Sequence, residues 1–320
     1  MFTRIIVPLD GSLSAESAVP TAGALALRSR ATIDLVHVRR PPLLAGGAPM
    51  YDTRFDNEEE VHKKNSIAAQ AAALATAGLD VQCTQLHGDA ADALEQYAIE
   101  SGADLIVLTS GDARTGMGSL GKVASHLIRS AGVPVLLVRG NRSATRAATE
   151  PLFARILVPL DGSPMSERAL DLAASLALPG ESEFLLTRVV VRFVVMAEPG
   201  AGGGVYPGDQ DLQKLRTSAL SYLESLASEI RALGINVRTL VLAGQSVERE
   251  LLALAEAQHV DLIAMSTHAR QRVARFFMGS VATALASEST SSILLYHQSE
   301  RLEADGHNRP DESRVAWTAR

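Results

Sequence analysis

The chain has almost no cysteine, few aromatic residues and no surplus of positive charge, and each shortage excludes something. Cys83 is the single cysteine among 320 residues, so no intramolecular disulfide can form and a reducing compartment fits. The net charge of −6 leaves no broad basic surface, so nucleic acid is not an expected partner. Long apolar runs are missing too. The richest, Phe184–Ala197, is broken by Arg188 and Arg192 and is too short to cross a bilayer, so no membrane partner is expected. The opening MFTRIIVPLDG carries no apolar signal core, which predicts a cytoplasmic protein. The histidines and Cys83 show no metal-ligand spacing, and no carboxylate–His–Ser arrangement surrounds His268. Neither a metal site nor a catalytic residue is expected. What is present is an ordinary globular balance, 47% hydrophobic and 21% charged.

It is also present twice. RIIVPLDGS at Arg4–Ser12 returns as RILVPLDGS at Arg155–Ser163, differing at one position in nine. ADLIVL at Ala103–Leu108 returns as VDLIAM at Val260–Met265. GKVA at Gly121–Ala124 returns as GSVA, and VLLV at Val135–Val138 as ILLY. A period of about 150 residues marks a duplicated domain rather than a solenoid. The predicted organisation is a domain at 1–140, a polar linker at 141–152, a second domain at 153–298 and a disordered tail at 299–320.

Within the first half, strands are predicted near Arg4–Leu9, Thr32–Val38, Asp80–Leu86, Asp104–Thr109 and Val133–Val138. Helices are predicted near Ser14–Arg28, Val61–Ala77, Ala91–Ser101 and Lys122–Ser130. Several strands are continuous apolar runs, as in a parallel sheet covered by helices on both faces, and the β–α alternation gives an α/β doubly wound fold. Ligands of such sheets sit at the carboxyl ends of the strands, at the topological switch point. That directs attention to Asp10 and Asp161 after the first strand, and to residues 109–122 and 266–280 after the fourth. The segments 41–56 and 198–211 are predicted mobile flaps near those ends.

The stretch TGMGSLGKVAS, Thr115–Ser125, imitates a phosphate-binding P-loop. Val123 stands where a hydroxyl residue would ligate Mg²⁺, and the strand before it ends too early. A Gly-rich segment leading into an apolar-periodic helix is still an anion-site pattern.

With V-P-L-D-G-S, D-L-I-x-M-S-T-H and G-S-V-A before a helix, the chain resembles the universal stress protein family in a tandem two-domain form. The resemblance implies two flavodoxin/Rossmann-like domains, each a five-stranded parallel sheet of order 3-2-1-4-5. In the ATP-binding branch the loop after the fourth strand reads G-x-x-G, nine residues, then G-S or G-T. Here Ser266, Thr267, His268 and Ala269 occupy the first part, and Gly279, Ser280 and Val281 complete it. If Ala269 must be left-handed, the cost is about 1–2 kcal/mol. Ser280 reads equally as a nucleotide contact or as a plain helix cap. In the first half, Gly111 fills the second glycine slot with Leu108 in the first, or Ala113 fills it if a gap is allowed. Gly121 and Lys122 follow, with Lys122 a candidate phosphate contact.

The resemblance further places Pro8, Pro159, Asp10 and Asp161 beside the nucleoside, Val38 and Val189 against adenine, and Gly88 and Gly244 along the ligand. Strand packing, capping and turns explain the same residues without a ligand. Ser163-Pro164 reads as a cap that frees Asp161 in the second half. The expectation is an adenine nucleotide, ATP with or without Mg²⁺, bound better in the second domain by a stress sensor that is not an enzyme beyond slow ATP hydrolysis at most. The two domains are expected to pair as a pseudo-dimer through their last strands, with a homodimer also open. The competing expectation is a stress protein that acts through protein–protein interaction. The L-D-G-S loop differs from the S-G-G-x-D-S loop of the related adenine-nucleotide α-hydrolases, which argues against that enzyme class.

Overall fold

The computed structural model describes residues 2–40, 44–45, 48–49, 53–110, 120–139, 151–191, 195–196, 204–205, 209–267, 279–297 and 315–316. The chain forms two compact units. Met1–Ala147 makes up most of the first, and Ala148–His268 with Met278–Leu294 the second.

In the first unit, β1 (Arg4–Pro8) leads to α1 (Leu13–Glu16) and α2 (Val19–Ser29), then β2 (Thr32–Arg39). One helix was expected over Ser14–Arg28, but the helix breaks after Glu16. Pro20 stands four residues on, where its ring would meet the Glu16 carbonyl, so the chain restarts with Pro20 in the first turn of α2. Next come β3 (Leu44–Ala45), β4 (Ala48–Pro49), α3 (Thr53–Thr76), β5 (Val81–His87), α4 (Ala90–Glu100), β6 (Leu105–Thr109), α5 (Lys122–Ser130) and β7 (Val135–Val138). The sheet order is β5-β2-β1-β6-β7, which is 3-2-1-4-5 when the small β3–β4 ladder is set aside. These neighbours pair in parallel. Ile5, Ile6 and Val7 are all buried in sequence, as are Leu105–Val107 and Val135–Val138, because helices cover both faces.

The second unit repeats the plan with β8 (Arg155–Pro159), α6 (Pro164–Leu176), β9 (Glu183–Val191), β10 (Val195–Met196), β11 (Gly204–Val205), α7 (Asp209–Ala232), β12 (Asn236–Gly244), α8 (Val247–Ala257), β13 (Leu262–Thr267), α9 (Ser280–Glu288) and β14 (Ser292–His297). Its sheet order is β12-β9-β8-β13-β14.

Regular structure also reaches into the segments read as flaps and as tail. The predicted flaps contain regular structure: β3 pairs antiparallel with β4, β10 with β11, and α3 and α7 begin inside the segments read as loop. Short ladders satisfy backbone groups that a bare loop would leave to water. The tail also carries structure. β15 (Val315–Ala316) pairs antiparallel with Gln85 and Thr84, supplying partners to the edge of β5.

Candidate functional site

The carboxyl ends of β1 and β8 lead into the same turn. Asp10 Oδ1 accepts the Ser12 N–H at 2.9 Å, and Asp161 Oδ1 accepts the Ser163 N–H at 2.9 Å. Ser12 Oγ then accepts the Ala15 N–H at 3.1 Å, and Ser163 Oγ the Ser166 N–H at 3.2 Å. The serine caps the helix in both halves, so the expected release of Asp161 alone does not arise. The identical D-G-S builds an identical turn. Pro8 and Pro159 close their strands, half-buried.

Ladder register settles the alignment after the fourth strand. Leu105 pairs with Ile5, and Leu262 with Ile156, the counterpart of Ile5. Thr109 therefore stands where Ser266 stands. Leu108 is the counterpart of Met265, and both are buried, so Leu108 does not fill the first glycine slot. The Ser266 hydroxyl oxygen is buried and has no hydrogen-bond partner among the described residues. His268, Ala269 and Gly111 lie outside the described residues.

Beyond the loop, Gly279 is the N-cap of α9 and Ser280 its first residue. No side chain caps this helix, so Ser280 is not the cap, against one of its two readings. Ser280 is exposed, Val281 half-buried, and the space a Gly279 side chain would take is open. The first domain has the same frame with different chemistry. Gly121 caps α5 and donates its N–H to the Ser110 carbonyl at 2.7 Å. Lys122 is 81% exposed, and its Nζ lies 3.7 Å from Asp89 Oδ2. Asp89 is the N-cap of α4. Its bond from the Ala91 N–H, with help from Lys122 and Arg40, holds the carboxyl below its ordinary range.

Val38 and Val189 occupy equivalent half-buried places near the ends of β2 and β9. The residues before them were not foreseen. His37 is buried. Its Nδ1–H donates to the Leu9 carbonyl at 2.9 Å, and its Nε2 meets Glu60 of α3. The counterpart of His37 is Arg188, which lies 5.5 Å over the Tyr222 ring of α7. Tyr222 donates to Glu167 at 2.9 Å, and burial, with that bond, pushes its hydroxyl up to about 12. Register could have flagged the pair, since a nitrogen-bearing side chain, His37 or Arg188, recurs one residue before each valine. Gly88 and Gly244 end the third strand. Gly88 has φ +128°, a conformation few other residues adopt. Gly244 has no positive φ; a Cβ there would come 2.1 Å from Glu250 Oε1.

The model of the universal stress protein family matches residues 1–139 and 152–297. The chain belongs to the universal stress protein family. It is a tandem universal stress protein, with one family domain in each half. A universal stress protein of Mycobacterium tuberculosis is 24% identical over 303 residues, spanning 92% of this chain and 97% of its own length. Bacillus subtilis YxiE, also a universal stress protein, is 27% identical over 148 residues, 45% of this chain and 99% of itself. The crystal structure of a universal stress protein from Archaeoglobus fulgidus superposes with a TM-score of 0.69 at 16% identity, covering 92% of this chain and 98% of that one, and supports the fold alone. Among the described residues of this universal stress protein, no group of three or more His, Cys, Asp or Glu side chains could hold a metal ion. No helix among them is long and apolar enough to cross a membrane.

Proposed function

We propose that the second domain binds an adenine nucleotide, with its phosphates at the start of α9 and its nucleoside along the ends of β8 and β9. The orphaned Ser266 hydroxyl carries the reading. A buried hydroxyl without a partner costs about 1–3 kcal/mol, and a ligand oxygen would relieve that cost. An uncapped helix N-terminus with open space at Gly279 suits a phosphate on the other side of the loop. ATP satisfies both, and any Mg²⁺ would ride on its phosphates. In the first domain, Lys122 turned toward Asp89 favours the other reading, a site that has given up the nucleotide and serves protein interaction. Binding without appreciable turnover, in the cytoplasm and in response to stress, completes the proposal.

Equilibrium dialysis of labelled ATP against the full chain tests it. One nucleotide per chain is expected, lost in Ser280→Asp and weakened in Ser266→Val. An acid at position 280 favours the helix dipole, so this variant folds while repelling phosphate. Two nucleotides per chain would overturn the assignment of the first domain. None at millimolar ATP would sink the nucleotide reading and leave protein interaction.

A further inference from the structure

Gly244 is glycine for a reason that lies in another element. Its backbone does not need glycine, since its φ is not positive. A Cβ at 244 would lie 2.1 Å from Oε1, 2.5 Å from Cδ and 2.6 Å from Cγ of Glu250. The missing side chain leaves a place on the backbone, and the Glu250 carboxyl group fills it. Glu250 sits in the first turn of α8, half-buried. Its carboxylate makes no hydrogen bond and no ion pair with any described residue. The cap of α8 is taken by Ser246, whose Oγ accepts the Arg249 N–H at 3.3 Å. Glu250 is therefore a carboxylate at the carboxyl end of β12 whose accepting oxygens no described residue uses.

Its surroundings indicate what it would accept from. Gly244 pairs with Val191, so the backbone that the carboxylate lies against is the neighbour of the end of β9. Val189, two residues earlier, is where the proposed nucleoside packs. The first domain lacks the device. Counting from the helix caps Asp89 and Ser246, Ala93 stands in the place of Glu250, and Gly88 is glycine for its φ of +128° with nothing near its missing side chain.

We infer that Glu250 is a specificity-determining residue of the second-domain site, accepting a hydrogen bond from a donor on the nucleoside. This rests on the nucleotide reading above. Two groups of an adenine nucleoside have that chemistry, a ribose hydroxyl and the exocyclic amine of the base. A carboxylate is a strong acceptor for either and repels the carbonyl of a 6-oxopurine.

The test is isothermal titration of the full chain with ATP, 2′-deoxy-ATP and inosine triphosphate, repeated on Glu250→Ala and Glu250→Gln. The wild-type chain binds ATP about tenfold or more tightly than one of the two analogues, as a hydrogen bond to a charged acceptor requires. The weaker analogue identifies the donor. In Glu250→Ala, ATP falls to the level of that analogue, whose own affinity stays within about twofold, since it never made the bond. Glu250→Gln keeps the shape and an accepting oxygen, so it folds and retains part of the preference. Gly244→Ala, which displaces the carboxylate, reproduces the Glu250→Ala pattern. An unchanged preference in Glu250→Ala, an equal loss for all three ligands, or no preference in the wild type overturns the assignment while the nucleotide reading stands. No binding of any ligand overturns both.

Discussion

The two domains solve one core position in opposite ways. In the first, Asp34 is fully buried. Thr84 donates to it at 2.9 Å, the Tyr97 hydroxyl donates to its other oxygen, and Arg4 Nη1 lies 3.7 Å away. Ladder register and helix caps match these residues to Leu185, Leu240 and Leu254 in the second domain. One backbone accommodates three polar groups or three leucines. A buried polar side chain is tolerated only when its partners are in place, and leucines serve the same sheet without that condition. Surrounding groups register the difference. Burial, and then the bond to Asp34, raises the Tyr97 hydroxyl, and burial followed by the Asp34 charge raises the Cys83 thiol. The shared parts lie at the carboxyl ends of the strands: the D-G-S turn and the glycine cap after the fourth strand.

The comparison can be broken most forcefully at Asp34. Asp34→Ala removes the shared acceptor of the Tyr97 and Thr84 hydroxyls, which lie 3.2 Å from each other, and should cost about 3 kcal/mol or more in urea denaturation of the full chain. Leucine at all three positions, as in the second domain, should recover most of that loss. A triple variant as damaged as Asp34→Ala would show that the cores are not interchangeable.

The next effect separates the two glycines. Gly88→Ala must hold φ +128° and should destabilise by about 1–2 kcal/mol, although nothing crowds it. Gly244→Ala meets only the movable end of a glutamate side chain, so its stability loss should be the smaller of the two. Thermal unfolding of the two variants side by side decides; equal losses would erase the distinction between conformation and close approach.

The smallest effect concerns the caps. Asp89 caps α4 and Ser246 caps α8, each worth about 1 kcal/mol against alanine. The Asp89 carboxyl is held below its ordinary 3.8, so its contribution is full above that value and is lost as pH falls through the lowered one. Asp89→Ser should keep the cap at neutral pH and reduce the acid sensitivity of the first domain. Denaturation curves at pH 7 and near pH 3 check it; identical acid losses in both proteins would remove Asp89 from the account.

Much of this was legible beforehand, for identifiable reasons. Consecutive apolar runs such as IIV and LLV mark buried parallel strands, and the repeated RIIVPLDGS announces the second domain. The split of the first helix was legible in principle, since Pro20 lies only four residues beyond Glu16. The alignment after the fourth strand was not, because counting along the loop leaves Gly111 and Ala113 as rivals for the second glycine slot, and only the ladder, which pairs Leu105 with Ile5 and Leu262 with Ile156, sets Thr109 in the place of Ser266. Residue type also left the reason for each glycine open: Gly88 and Gly244 look alike, and only one needs its φ.

The sequence by itself determined the duplication, the α/β class and the family, because local periodicity and repeated motifs are written along the chain. Tertiary structure alone decided that the Ser266 hydroxyl is buried without a partner among the described residues, that Ser280 is not a cap, that Lys122 turns toward Asp89 and that Glu250 lies on Gly244. These facts depend on side chains brought together from different elements, and spacing along one chain does not encode distances between them.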